Sequence, residues 1–434
     1  MAKNAKKENM CGPVSYQNWL AFEKIPAANR TAPIPIQSTS TGNAGHRIGL
    51  ISPHMVEVPL FTDIDELTGE IATGLGPYRL INARAVGAPG DVPRIFLRAS
   101  WNPSLSAGGT KRGEIKTSAD FHHGGDLYDE IAALVSLAGG IRVMAGPPTR
   151  LFSPGGDPLG TPQYTDDERN LRPFRRAGRP VIPRYPKTFC INDSEQRLAT
   201  LPRLSARRAS ELLVAARCYQ QALWHSEADP QFAWLLFVSA VESAANFHYE
   251  SVDPITALRE GMPDLYKLIE KRAADDDNKT WIEKVAGQLK GLTGATKKFV
   301  NFFAEFWPDA PGWATTETRE RFEYPWRQRK GESKEEWRRG IEVDLRKVYS
   351  WRSKALHGGT AFPPPMLNAP IPIGEKYEER PAVLATMMGD SSWSAADMPM
   401  LLHVFEHLVR GALLKWWGSM VPPTAPEVAP NSTA

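Results

Sequence analysis

The segment Pro230–Tyr249, PQFAWLLFVSAVESAANFHY, restricts the fold of this 434-residue chain more than any other. It is apolar nearly all round. A helix of that kind is buried on every side, so other helices must surround it. From Gln231 to Phe247 the only ionisable side chain is Glu242. A lone carboxylate in such a helix finds a partner or stays protonated.

A candidate partner comes from the longest charged helical pattern in the chain. Trp337, Ile341, Leu345 and Val348 form one apolar stripe, and the next inward position on it is Arg352. An unpaired guanidinium aimed at a core is costly, so Arg352 and Glu242 suit each other. Gly358-Gly359 should end the helix, leaving His357 in the last turn beside the unpaired carbonyls. On a continuous helix, residues five apart point about 140° away from each other. Arg352 and His357 therefore converge on one ligand only if the helix end unwinds, which the two glycines permit. Residue types alone leave two readings open: a structural pair that sets helix register, or a catalytic network.

The stretch Arg352-Ser-Lys-Ala-Leu-His357-Gly-Gly resembles the Arg-x(4–6)-His signature of HEPN domains, in the version seen in Apea-like HEPN proteins. Phe237-Val-Ser-Ala-Val-Glu242 resembles the acidic-residue helix that precedes that signature. The resemblance covers roughly the last half of the chain. It implies a helical bundle acting as a homodimeric, metal-independent endoribonuclease without a cofactor, in bacterial anti-phage defence or as a toxin-like effector. His357 would then be the general acid/base and Arg352 the stabiliser of phosphate charge, with Glu242 as its partner. Ser353 stands where many HEPN motifs carry Asn or another polar residue. Attack by the ribose 2′-OH would make the substrate RNA, such as tRNA or mRNA. Arg327, Arg329, Lys330, Arg338, Arg339 and Lys354 are the expected RNA contacts. The alternative within the same family is a non-catalytic module that binds RNA or nucleotide, or that dimerises.

The rest of the chain sets the context. Residues 1–45 look like an irregular arm. Residues 46–145 carry short apolar runs bounded by Gly and Pro (Arg47–Ser52, Met55–Phe61, Tyr78–Ala83 and Val92–Ala99), then a helix Leu127–Ala138 and a strand Ile141–Ala145. This is an α+β pattern, in which a sensor or regulator would fit. Residues 146–203 read as a Pro-rich linker. Its basic segment is Arg169, Arg172, Arg175, Arg176, Arg179, Arg184 and Lys187. Residues 204–420 read as the helical domain, with amphipathic segments at Ser205–Glu227, Pro254–Arg272, Trp281–Leu292, Thr296–Phe306 and Asp397–Trp417. Arg319–Arg339 reads mostly as a solvated helix face. Residues 421–434 read as a disordered tail.

A net charge of +3 does not by itself imply nucleic acid. Cys11, Cys190 and Cys218 form no CxxC pair, so neither a disulfide framework nor a zinc site is indicated, and the cytoplasm is the default location. No apolar run reaches the length of a membrane span. His122-His123 and the loop Gly108–Gly113 match no metal or phosphate motif. His403 and His407 share a helix face but lack a third partner, so they read as structural.

Overall fold

The computed structural model describes residues 12–25, 54–84, 93–101, 125–152, 178–249, 254–272, 279–289, 294–314, 321–383, 385–388 and 391–423. The expected strand Arg47–Ser52, the paired histidines 122–123, Cys11, Arg169 to Arg176 and the tail from 424 lie outside these residues.

The N-terminal region holds a small antiparallel sheet. Its strands are β1 (His54–Thr62), β3 (Ile71–Leu75), β4 (Tyr78–Arg84), β5 (Arg94–Trp101), β6 (Val143–Ala145) and β7 (Arg150–Phe152), while β2 (Glu66–Thr68) lies outside it. The order is β3-β4-β5-β1-β6, and β7 also pairs with β1. β1 pairs with β5 from His54↔Trp101 to Phe61↔Arg94. Alternation puts Leu60, Leu80, Ile95, Leu97 and Ala99 into the core with no exposed surface. The next cross-strand pair, Glu57↔Arg98, is a buried ion pair at 2.6 Å, and Arg150 also reaches Glu57 at 3.0 Å.

Two helices pack with this sheet, α1 (Val14–Glu23) and α2 (Leu127–Gly139). Asp126 caps α2 by accepting from the backbone N–H groups of Tyr128 and Asp129. Gly140 ends it at φ +67°, a conformation that favours glycine. Within the expected irregular arm, residues 1–45, the helix α1 corrects that expectation for Val14–Glu23. Its buried side chains are Ser15, Tyr16, Asn18, Trp19 and Ala21, a mixed set with no clean apolar stripe. Tertiary contacts hold it instead. Glu130, fully buried on α2, accepts from Val14 N–H at 3.0 Å and Ser15 N–H at 2.6 Å, capping α1 from outside. Asn18 donates to Tyr78 Oη and to the Ser100 carbonyl.

The described part of the expected linker is also packed. Strand β8 (Thr188–Cys190) pairs in parallel with β2, followed by short helical turns to Arg203. Val181, Ile182, Phe189, Ile191 and Leu198 are buried in the same core as both halves of the chain. Proline and arginine dominate the composition here, but the few apolar side chains all point inward.

The C-terminal half is rich in helices: α3 (Ala206–His225), α4 (Pro230–His248), α5 (Pro254–Gly261), α6 (Pro263–Arg272), α7 (Lys279–Leu289), α8 (Ala295–Glu305), α9 (Lys334–His357) and α10 (Leu402–Met420). α4 contacts α3, α8, α9 and α10, but it is not covered on every side as its apolarity suggests: Phe232 is exposed and Leu235 and Leu236 are half-buried. Trp234 on α4 stacks between Phe362 and Phe405 at 5.3 and 4.7 Å. The single helix expected at Pro254–Arg272 is two, because Pro263 lacks the N–H that would continue the first. Helices α5 to α7 form their own small cluster around Leu258, Tyr266, Ile269 and Ala286. Of the expected helix face Arg319–Arg339, the described residues 321–339 are helical only from Lys334; before it, Tyr324 and Trp326 are buried in chain without regular structure. Between α9 and α10 lie two short hairpins, Pro372–Ile373 with Lys376–Tyr377 and Ala385–Met388 with Ser391–Ser394. Among the described residues, no helix is long and apolar enough to cross a membrane.

Candidate active site

Glu242 and Arg352 are paired, as the cost of a lone charge in α4 demands. Arg352 Nη2 donates to Glu242 Oε2 at 2.5 Å, and Tyr349 Oη donates to Glu242 Oε1 at 2.6 Å. Tyr349 and Arg352 are three apart on α9 and so share a face. The side chains of Arg352 and Glu242 keep 19 % and 14 % of their surface, so the pair is largely withdrawn from water. The Tyr349 ring packs on Phe299 of α8 at 5.2 Å. Burial, then the hydrogen bond to Glu242, push the Tyr349 hydroxyl well above its usual range, so it stays a donor. Cys218 on α3 lies near the same carboxylate. Burial raises its thiol pKa, Arg217 opposes the rise and Glu242 adds to it.

Both oxygens of Glu242 are therefore occupied, but Arg352 is not fully used. Its Nε is buried with no hydrogen-bond partner. A guanidinium has five N–H donors, and an oxyanion beside this one would find unspent capacity.

The helix ends where the two glycines predict. Gly358 N–H donates to the Lys354 carbonyl at 2.8 Å, Thr360 N–H reaches the same oxygen at 3.2 Å, and Gly359 adopts φ +64°. The helix does not unwind before that point. α9 is continuous through His357. Arg352 and His357 thus keep their angular separation of about 140° and do not converge within one chain. The glycines lie beyond His357, so their freedom redirects the chain only after it.

His357 is exposed at the helix end. Ser353 is half-buried. Lys354 is exposed, its ammonium 4.3 Å from the ring centre of Trp351, whose indole N–H donates to the Asp397 carbonyl. Of the six expected RNA contacts, only Lys354 lies beside Arg352. Arg327, Arg329 and Lys330 are exposed in the turn before α9, and Arg338 and Arg339 are exposed near its start. From Arg339 to Arg352 the helix rises about 20 Å, at 1.5 Å per residue. The basic residues at the start of α9 therefore form a separate patch, interleaved with Glu332, Glu335 and Glu336.

The buried charge cluster centred on Arg142 was not legible in the sequence. It donates to Asp63 Oδ2 at 2.9 Å, Glu227 Oε1 at 3.1 Å, Ser226 Oγ at 2.9 Å and the Leu223 carbonyl at 2.8 Å. Tyr185 stacks on it at 4.2 Å and donates to Asp63 Oδ1 at 2.7 Å. Glu227 also accepts from Val181 N–H. This network uses four of the five Arg142 side-chain donors and joins the sheet region to α3, a structural role. No single segment announces it, because its members come from four parts of the chain.

Among the described residues no group of three or more His, Cys, Asp or Glu could hold a metal ion. Compared with protein families, curated proteins and solved structures, the chain matches none.

Proposed function

We propose that the helical half of this chain is an endoribonuclease of HEPN type that works as a homodimer in the cytoplasm. The observation that carries this reading is the pairing of a half-buried Arg352, held by Glu242 but with donor capacity left over, with an exposed His357 at the end of the same helix. The 2′-oxygen of a ribose attacks the adjacent phosphorus. The bond from phosphorus to the 5′-oxygen breaks, leaving a 2′,3′-cyclic phosphate and a 5′-hydroxyl. One histidine takes the proton of the 2′-OH, and another gives a proton to the departing oxygen. Arg352 offsets the charge that builds on the phosphate. Lys354 adds a cation beside it, and Ser353 is a polar neighbour on the same turn.

Because Arg352 and His357 diverge within one chain, a two-fold interface at the end of α9 supplies the second pair. Residues 46–145 then serve as a sensor or regulator, and the patch from Arg327 to Arg339 is a more distant contact for the RNA backbone. The second reading, a non-catalytic HEPN module that binds RNA or dimerises, draws on one specific fact: both oxygens of Glu242 are committed, which also suits a purely structural pair.

Incubating the purified chain with total RNA in a chelator, as wild type and as His357→Ala, separates the two. We expect fragments ending in cyclic phosphate from the wild type alone. Intact RNA from both proteins, with RNA retained by both, would select the binding module. Equal cleavage by both proteins would rule out His357 as the acid/base.

A further inference from the structure

A cavity of about 270 Å³ lies where the C-terminal end of α2 meets α10. Its wall includes Gly140, Arg184, Trp313, His403, Glu406 and Arg410. Two of these carry unsatisfied polar atoms. His403 is 3 % exposed, and neither of its ring nitrogens has a hydrogen-bond partner. Arg184 has its Nε buried without a partner, while its guanidinium lies 4.4 Å from the ring centre of Trp313 and 5.7 Å from that of Tyr377. A neutral imidazole offers one donor and one acceptor, and leaving both unmet in a buried site is unfavourable.

Other wall residues make hydrogen bonds elsewhere. Arg410 donates Nε to the Leu137 carbonyl at 3.1 Å and Nη2 to the Ala138 carbonyl at 2.6 Å, closing the end of α2. Gly140 makes that approach possible, since a Cβ there would sit 2.7 Å from Arg410 Nε. Glu406 Oε1 accepts from Tyr219 Oη at 2.6 Å, and His407 Nε2 donates to the Asp309 carbonyl at 3.2 Å.

The spacing of His403, Glu406 and His407 on one helix brings a metal to mind, but their surroundings oppose one. Glu406 gives one oxygen to Tyr219 and His407 is engaged by Asp309, while the guanidiniums of Arg184 and Arg410 outnumber the one carboxylate, Glu406, in the wall. Glu379 offsets part of the Arg184 charge from outside the cavity, and the balance in the wall stays positive, which favours an anion over a cation.

We propose that this cavity binds a small organic oxyanion, a phosphate ester or a carboxylate. Its charged oxygen accepts from Arg184 Nε, and a neighbouring polar group pairs with His403. The volume sits near the lower end for small-molecule sites, so the ligand is a metabolite and not a nucleic-acid chain. The cavity lies between the sheet region and the helical half, and none of Glu242, Arg352, Ser353, Lys354 and His357 lines it.

The test uses the full chain with ¹⁵N-labelled histidine. It is titrated in separate arms with inorganic phosphate, ribose 5-phosphate and citrate, and the imidazole resonances and melting temperature are followed. His403→Phe assigns the His403 signal by its disappearance. We expect a saturable shift of that signal and a rise in melting temperature in at least one arm. Arg184→Gln should weaken the effect at least tenfold. Arg184→Lys, which keeps the charge but loses Nε, should weaken it too and serves if the glutamine variant does not fold. Response to the two phosphates but not to citrate identifies a phosphate ester, and the reverse identifies a carboxylate. No saturable shift in any arm at millimolar concentration overturns the proposal. So does a shift that persists undiminished in the Arg184 variants.

Discussion

Arg352 donates to Glu242 at 2.5 Å although 110 residues separate them in the chain. The contact joins α9 to α4, the helix that α3, α8 and α10 also contact, so its loss should be felt by the fold as well as by any chemistry. Glu242→Ala leaves a half-buried guanidinium and the Tyr349 hydroxyl without their acceptor. We expect a loss of about 2–4 kcal/mol, at or below the range for breaking a fully buried pair. Chemical denaturation of Glu242→Ala, Arg352→Ala and the double variant measures the coupling. Strictly additive losses would show that the two charges do not support each other.

The proposed shared cleft makes a quantitative prediction about mixed dimers. If each cleft needs His357 from both copies, activity falls with the square of the wild-type fraction as His357→Ala chains are mixed in after reversible dissociation. A linear decline would show instead that each copy acts alone.

His403 links acid to stability. Burial, with Arg184 and His407 nearby, holds its pKa at about 3, against an ordinary value of 6.5. The unfolded chain therefore binds a proton at this site that the folded chain refuses. Stability is fully present above about pH 6.5 and drains away as pH falls towards 3, by at most about 1.4 kcal/mol per unit. His403→Phe removes that proton uptake. Between pH 7 and pH 5 the variant should lose less stability than the wild type in urea denaturation. Parallel declines would mean that His403 already takes up its proton in the folded chain.

Glu130 holds the first helix in place by accepting from Val14 and Ser15. Truncation to alanine leaves the start of α1 without these acceptors, at a cost of about 1–2 kcal/mol. Amide exchange at Val14 and Ser15 should accelerate before the rest of the core loosens, and limited proteolysis should cut near α1 first. Unchanged protection at those two amides would show that another group caps the helix.

Much of the secondary structure was legible because single segments encode it. The runs Met55–Phe61 and Tyr78–Ala83 are apolar enough to demand a buried sheet, and strands β1 and β4 lie there. Leu127–Ala138 carries a helical stripe closed by two glycines, and α2 spans those residues. The packed stretch after residue 178 gave no such signal. Val181, Ile182, Phe189, Ile191 and Leu198 follow neither a period of two nor one of 3.6, and their burial depends on surfaces supplied by other elements.

The candidate site divides in the same way. The sequence alone determined that Glu242 needs a partner and that Arg352 faces inward, because one apolar helix and one amphipathic stripe specify both. It also determined that α9 stops at Gly358-Gly359. Only the tertiary structure decided that Tyr349 takes the second oxygen of Glu242, that His357 stays on a different face from Arg352, and that the basic residues near Arg339 sit about 20 Å along the helix from it. It alone brought Arg184, Trp313 and His403 around one cavity. A helical period records which way a side chain points from its own axis. It carries no information about which distant segment arrives on that side, and that is settled when the whole core packs.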